Sequence, residues 1–176
     1  MHSNGLNMNV EEIRSQAEKS IELGAVTKDY PLDIKKACKL LNDALATEIL
    51  CVLRYRHHQI IAKGIDYLQV AQEFKEHAEQ EEQHMLMIAE RINQLGGDPD
   101  FNPKTLASRS LTEYGSCTSL TEMIKEDLIA ERIVISVYRK MIEWFNKDTT
   151  TRAMLEEILK DEEDHANELA DLLSKK

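Results

Sequence analysis

The sequence predicts an all-α protein: a four-helix bundle with one long connection between its second and third helices, preceded by a short N-terminal helix. Three observations predict it. Four long segments place apolar residues at alternating steps of three and four, the spacing that lines one face of a helix. Glycine and proline number only 6 and 3 in 176 residues, so little interrupts those segments. The joins between the segments are short, except one of about twenty residues.

Taken in order, residues 1–9 carry no pattern and are expected to be disordered. Val10 to Leu23 reads as a short helix that Gly24 stops. Thr27 to Pro31 reads as a turn, with Pro31 in the first turn of the first long helix. Residues 1–30 are thus an N-terminal extension, and residues 31–176 the bundle domain. The first long helix runs to about Lys63, before Gly64. The second covers roughly Asp66 to Leu95, and Gly96-Gly97-Asp98-Pro99 stops it. From Pro99 to Thr118 the pattern is weak, with a short helical piece expected between Pro103 and Ser110. Ser119 followed by Glu122 is a capping box that opens the third helix, which continues to about Asn146. Asp148 or Thr149 caps the fourth, which runs nearly to the C-terminus. Short turns make helices one and two, and three and four, antiparallel neighbours. The long stretch between two and three is free to cross the length of the bundle.

The four core seams hold the anomaly. They read Ile34, Cys38, Leu41, Leu45, Glu48, Val52, Tyr55; then Phe74, Ala78, Glu81, Met85, Ile88, Ile92, Leu95; then Leu120, Ile124, Asp127, Glu131, Ile135, Tyr138, Ile142, Phe145; and Leu155, Ile158, Glu162, His165, Leu169, Leu172. Each carries a glutamate near its middle. An unpaired carboxylate in such a core is costly, and the chain offers no matching set of core lysines or arginines. Bound divalent metal is the economical countercharge.

The halves also repeat. Glu48-x6-Tyr55-Arg56 matches Glu131-x6-Tyr138-Arg139, and Glu81-x-x-His84 matches Glu162-x-x-His165. In Glu-x-x-His both side chains lie on one helix face and reach one ion. The single glutamates, Glu48 and Glu131, have two oxygens each and can bridge two ions. Four carboxylates balance two divalent cations. Mixed oxygen and nitrogen donors favour iron, manganese or zinc over calcium, and the absence of thiolates argues against a closed zinc site.

Composition excludes other classes. Lys+Arg 22 against Asp+Glu 32 gives a net charge of −10, which suits a cation attractor better than a nucleic-acid binder. No apolar run reaches the ~20 residues of a membrane span. No basic start precedes an apolar stretch, so no signal peptide is expected. Three scattered cysteines fit a reducing cytoplasm rather than a disulfide framework.

These motifs resemble the ferritin-like superfamily, most closely bacterioferritins and bacterioferritin-like Dps-like proteins, from Pro31 to Leu173. The resemblance implies that Glu48, Glu81, His84, Glu131, Glu162 and His165 hold two iron ions per subunit, with manganese or zinc as alternatives. It implies a ferroxidase that oxidises Fe²⁺ with O₂ or H₂O₂ and stores Fe³⁺ in a cage, so protecting against peroxide chemistry. Tyr55 matches a tyrosine beside the bacterioferritin centre, where it supplies an electron or hydrogen-bonds a ligand; core packing is its plainer role. Glu82 stands where bacterioferritins carry a haem-ligating methionine, so no haem is expected, and Met85 and Met87 read as core or interface fillers. Only eleven residues follow His165, too few for the fifth helix of large cages, which favours a dodecameric homo-oligomer. The rivals that keep the metal pair are a rubrerythrin-like peroxidase, although no CxxC pair supplies its electron-transfer module, and a manganese catalase, usually a longer chain. The non-enzymatic rival is a Dps-like DNA-protecting protein; with only Arg14, Lys19 and Lys28 in its N-terminal arm, DNA is not an expected partner. His57-His58 and Glu73-x3-His77 read as solvated faces before metal-entrance or nucleation sites. Cys51 reads as a small buried filler beside the site, Cys117 has no close sequence partner, and Trp144 with Phe145 packs the bundle end.

Overall fold

The computed structural model describes residues 8–65, 67–115 and 117–174. Residues 1–7, where disorder is expected, and Asp66, the expected start of the second long helix, lie outside the described residues. The helices are α1 (Val10–Lys19), α2 (Ile34–Ile61), α3 (Tyr67–Gln94), α4 (Leu106–Arg109), α5 (Leu120–Trp144) and α6 (Thr149–Ser174), with a 3₁₀ turn at Ile21–Leu23. Among the described residues all regular structure is helical.

α1 starts at Val10 as expected, capped by the Asn9 side chain, which accepts from the Glu12 amide at 3.3 Å. Two other boundaries differ from the expectation, each for a local reason. The expected Val10–Leu23 helix breaks at Ser20 (φ −138°), where the hydroxyl donates to the Gln16 carbonyl at 3.2 Å and competes with the helical ladder. Pro31 lies outside α2 rather than in its first turn. Asp33 is the cap, accepting from the Lys36 amide at 3.0 Å, and so satisfies one of the amides that a helix start leaves free. The capping box of Ser119 and Glu122 opens α5 as expected. The stop after α3 is tight: Gly96 takes φ +76°, and a Cβ on Gly97 would fall 2.7 Å from the Cys38 sulfur.

α2 packs on α3 and α5 on α6, and contacts of α3 with α6 and of α2 with α5 close the bundle. The long connection does cross. Asp98 and Asp100 hydrogen-bond Asn42, the Leu111 amide donates to Thr47, Arg54 donates to the Glu113 carbonyl, and Tyr114 stacks on His57. From Asn42 to His57 is about 22 Å of helix at 1.5 Å per residue. Leu106 anchors the crossing segment on Ala46 and Leu50. α2 is therefore covered on its outer side too. That is why Ala44, Leu45, Ala46, Thr47 and Glu48 are buried in succession and why a single seam understates this helix.

Apolar residues fill the bundle in two tiers. One holds Leu41, Leu45, Ile88, Ile92, Leu155 and Ile158, and it extends to Phe145, against which Trp144 packs edge-on at 4.6 Å. The other holds Tyr55, Phe74, Met123, Ile124 and Leu169. Each fully buried Leu, Ile or Phe contributes about 1.5–3 kcal/mol. The seam glutamates lie between the tiers, at the waist.

Two buried polar knots brace the bundle. At the waist, Arg54 donates to Asp127 at 2.8 Å, and the His58 Nδ1 is 2.8 Å from the other Asp127 oxygen. At the far end Asp148 caps α6 by accepting from the Thr151 amide at 3.0 Å. It also receives both Arg91 (3.1 Å) and the Tyr30 hydroxyl (2.7 Å). Burial works against ionisation of Asp148, yet Thr151, Tyr30 and Arg91 together hold its carboxyl below its ordinary value. A depressed folded value means that the stabilisation is fully present above the unfolded carboxyl pKa and is lost as pH falls through the folded one. Asp148→Ala should therefore lower the melting temperature by about 2–8 °C at pH 7, the worth of a helix cap and a partly shielded ion pair. The gap to wild type should narrow below about pH 4. Thermal melts across pH 7 to 2.5 check this; a gap that stays constant into acid contradicts it.

Candidate metal centre

Glu48 comes from the middle of α2, Glu81 and His84 from α3, Glu131 from α5, and Glu162 and His165 from α6. Two antiparallel pairs with matching offsets bring all six to one level. None is more than 2% exposed. Their donor atoms form two sets, each within 4.8 Å: Glu48, Glu81, His84 and Glu162; and Glu81, Glu131, Glu162 and His165. The shared members are Glu81 and Glu162. Glu48 and Glu131, whose paired oxygens are able to bridge two ions, each belong to one set. The reason is geometric. The paired glutamates project from facing helices α3 and α6 into the middle of the waist, and the single glutamates approach from the flanks.

Within the first set the His84 Nδ1 lies 3.2 Å from Glu162, 3.6 Å from Glu81 and 3.7 Å from Glu48. In the second, the His165 Nδ1 lies 3.4 Å from Glu81 and 3.6 Å from Glu162. Donors around one ion at about 2.1 Å stand roughly 3.0–3.4 Å apart, so the spacing is close to that of a coordination shell. Both oxygens of Glu81 and of Glu162, one oxygen each of Glu48 and Glu131, and the two Nδ1 atoms are buried with no hydrogen-bond partner. A native core rarely strands so many strong acceptors together. The donor set fits two divalent cations.

The surroundings orient these ligands. The His84 Nε2 meets Asp161 at 3.2 Å, and the His165 Nε2 meets Gln80 at 2.9 Å. Each partner immediately precedes the shared glutamate of the opposite helix, so the orienting contacts obey the same pseudo-twofold as the ligands. Such contacts fix the imidazole tautomer and aim the other nitrogen inward. Tyr55 donates to Glu131 and Tyr138 donates to Glu48. Each tyrosine thus holds the single glutamate of the other half and leaves that carboxylate one oxygen to offer. Tyr138 is visible in the repeat as the partner of Tyr55, although only Tyr55 was singled out from the sequence.

The electrostatics follow from crowding. Burial pushes Glu48 and Glu131 well above the ordinary carboxylate range, and Glu81 and Glu162 beside them add to it. Burial also opposes ionisation of the shared pair, but the two histidines and the single glutamates hold Glu81 and Glu162 below the usual range. Burial disfavours the charged imidazoles, yet the facing glutamates outweigh it, raising His165 to about 10 and His84 further. Burial and the glutamates keep Tyr55 and Tyr138 protonated and able to donate.

Other candidates fall differently. His58 and His77 are buried, which overturns their solvated-face reading. His58 is held in the waist knot by Asp127, and His77 stacks on His165 with ring centroids 4.1 Å apart. His57 stacks on Tyr114. Cys51 is buried, with its sulfur 3.4 Å from Arg54, and Cys117 packs beside the lower tier. Met85 and Met87 pack on the edge of the core, and Glu82 is exposed. Of the knot residues, Asp127 lies on the third seam, whereas Arg54 lies on none of the four.

A family model described as the ferritin-like domain matches residues 38–176. A "nutrient stress-induced DNA-binding protein" from Nostoc sp. is 31% identical over 139 residues, 77% of this chain and 76% of that protein. Among solved structures, a dodecameric thioferritin, the bacterioferritin-related protein from Bacteroides fragilis, is 32% identical with a TM-score of 0.78, covering 81% of this chain and 87% of that one. A ferritin-like, diiron-carboxylate protein from Bacillus anthracis is 27% identical with a TM-score of 0.71, covering 80% and 97%.

Proposed function

Because this chain belongs to the ferritin-like family, we propose that it is an iron-storing ferroxidase whose substrate is Fe²⁺. The observation that carries the reading is the pair of four-donor sets sharing Glu81 and Glu162. Two ferrous ions held side by side release two electrons together, the number that converts H₂O₂ to water. O₂ is the other candidate oxidant. Glu48, Glu81, His84, Glu131, Glu162 and His165 are the proposed ligands. Tyr55 and Tyr138 hold the single glutamates in place. The buried, apolar tiers above and below exclude water and keep the reaction from leaking oxidants into solution.

Storage needs a closed shell, because one bundle cannot enclose a mineral. Large apolar side chains stand exposed on three helices: Leu53 and Ile60, Leu68 and Leu86, and Ile129 and Ile133. These side chains are available for contacts between subunits. The Bacteroides fragilis relative is described as dodecameric, which supports the same closed symmetry here. The purified protein should therefore scatter light with a mass near twelve times its 20.2 kDa chain. Given Fe²⁺ and oxidant, it should take up iron far beyond two ions per chain. A stable monomer that stops at two ions overturns storage.

The name of the Nostoc relative raises DNA as a second partner. In residues 8–30, Arg14, Lys19 and Lys28 face Glu11, Glu12, Glu18, Glu22 and Asp29, an arm of the wrong sign for a phosphate backbone. Ferroxidation is therefore the reading that the charge supports.

A further inference from the structure

His77 is a buried imidazole that the metal centre above does not use. It lies one turn before Glu81 on α3, 1% exposed. Its Nε2 points between two carboxylates, 2.9 Å from Glu168 on α6 and 3.7 Å from Glu73 one turn back. Its Nδ1 is buried without a partner. Donor atoms of Glu73, His77 and Glu168 all lie within 4.8 Å of one another. Among the described residues no lysine or arginine pairs with Glu73 or Glu168.

Two of the trio, His77 and Glu168, line a groove between α3 and α6. Glu76, Glu79, Asp164 and Glu168 line its walls, and His77 and His165 lie in it, with no lysine or arginine among its lining residues. His165 is thus reached from two directions: its Nδ1 faces the metal centre, and its ring stacks on His77 in the groove. A concave surface lined by one sign of charge concentrates the opposite ion.

The internal repeat shows that the bundle does not require this trio for packing. Counting from the shared glutamates and their histidines, Glu73, His77 and Glu168 correspond to Met154, Ile158 and Met87 in the other half. Those three belong to or pack against the upper apolar tier. One side of the waist is sealed with apolar side chains; the other carries three metal-competent donors.

We infer that Glu73, His77 and Glu168 form a third divalent-cation site, at the mouth of the groove leading to His165, that passes cations into the centre. Only the passing role rests on the ferroxidase reading. The donor set is one imidazole and two carboxylates, suited to Fe²⁺, Zn²⁺ or Mn²⁺. With one carboxylate half exposed, bound ions can exchange with solvent.

The test uses the full-length assembly and the conservative pair Glu73→Gln and Glu168→Gln, which leaves all six centre ligands intact. Zn²⁺ is the probe, located by anomalous diffraction. Wild type should show Zn²⁺ between Glu73, His77 and Glu168 as well as at the centre, and the double variant should keep only the latter. No Zn²⁺ at the trio, at a concentration that fills the centre, overturns the site. Fe²⁺ oxidation then tests the passing role. At limiting Fe²⁺ the double variant should be slower by about tenfold, with its saturating rate unchanged. An unchanged limiting rate overturns that role. If wild type binds Zn²⁺ at the trio yet oxidises no Fe²⁺, the ferroxidase reading fails and the third site stands.

Discussion

Glu162→Ala should abolish rapid Fe²⁺ oxidation, with a loss of more than about 100-fold in stopped-flow measurements. Removing a carboxylate that orients a metal ligand already costs 10–100-fold, and Glu162 belongs to both donor sets. Its loss takes one oxygen from each set and also leaves both imidazoles without one of their facing carboxylates. The fold should survive. Four carboxylates crowd a core that pays for their desolvation, so an apolar replacement relieves repulsion even as it opens a small gap. Glu163→Ala is the matched control, because that side chain pairs with Arg139 at the surface and should leave the rate unchanged. Glu48→Ala, which strips one set alone, should fall between the two. A wild-type rate in Glu162→Ala, with helicity retained, sinks the dimetal assignment.

The seams and the repeat made the bundle and its six central residues legible. A glutamate on an apolar stripe is a local anomaly, and four at matching offsets admit few explanations. What the repeat hid were the places where it breaks. Counting four back from each single glutamate gives Ala44 in one half and Asp127 in the other. Six forward gives Arg54 and Val137; ten forward gives His58 and Met141. The waist knot is built from the polar members of these mismatched pairs. His77 against Ile158 is a fourth mismatch. Arg54 was invisible for a further reason: it sits beside Arg56 in a run that alternates apolar and basic, and only the crossing segment, packed on the back of α2, decides which arginine is buried. That segment has no periodicity because single hydrogen bonds to α2 side chains and carbonyls hold it. The sharing of Glu81 and Glu162 was likewise out of reach, because spacing places side chains on a face and does not say how far they reach across it.

The waist knot sets the second large effect. Arg54 and Asp127 are each 1% exposed or less, and the guanidinium is further tied to the Glu113 carbonyl and the Cys51 sulfur. Asp127→Ala leaves that guanidinium charged, because its ordinary pKa is already beyond reach and the surrounding acids raise it further. Stranding a buried charge costs about 3–5 kcal/mol, and a chain of this length loses about 2–4 °C of melting temperature per kcal/mol. The expected drop is therefore roughly 6–20 °C in the intact assembly. The cost belongs to the orphaned partner more than to the lost contact, so adding Arg54→Leu to Asp127→Leu should restore much of the stability, since apolar replacement of a whole buried pair is often neutral. An Asp127→Ala shift below about 2 °C, or a double variant no better than the single one, shows that water reaches the guanidinium and that the knot is not the brace between α2 and α5 described above.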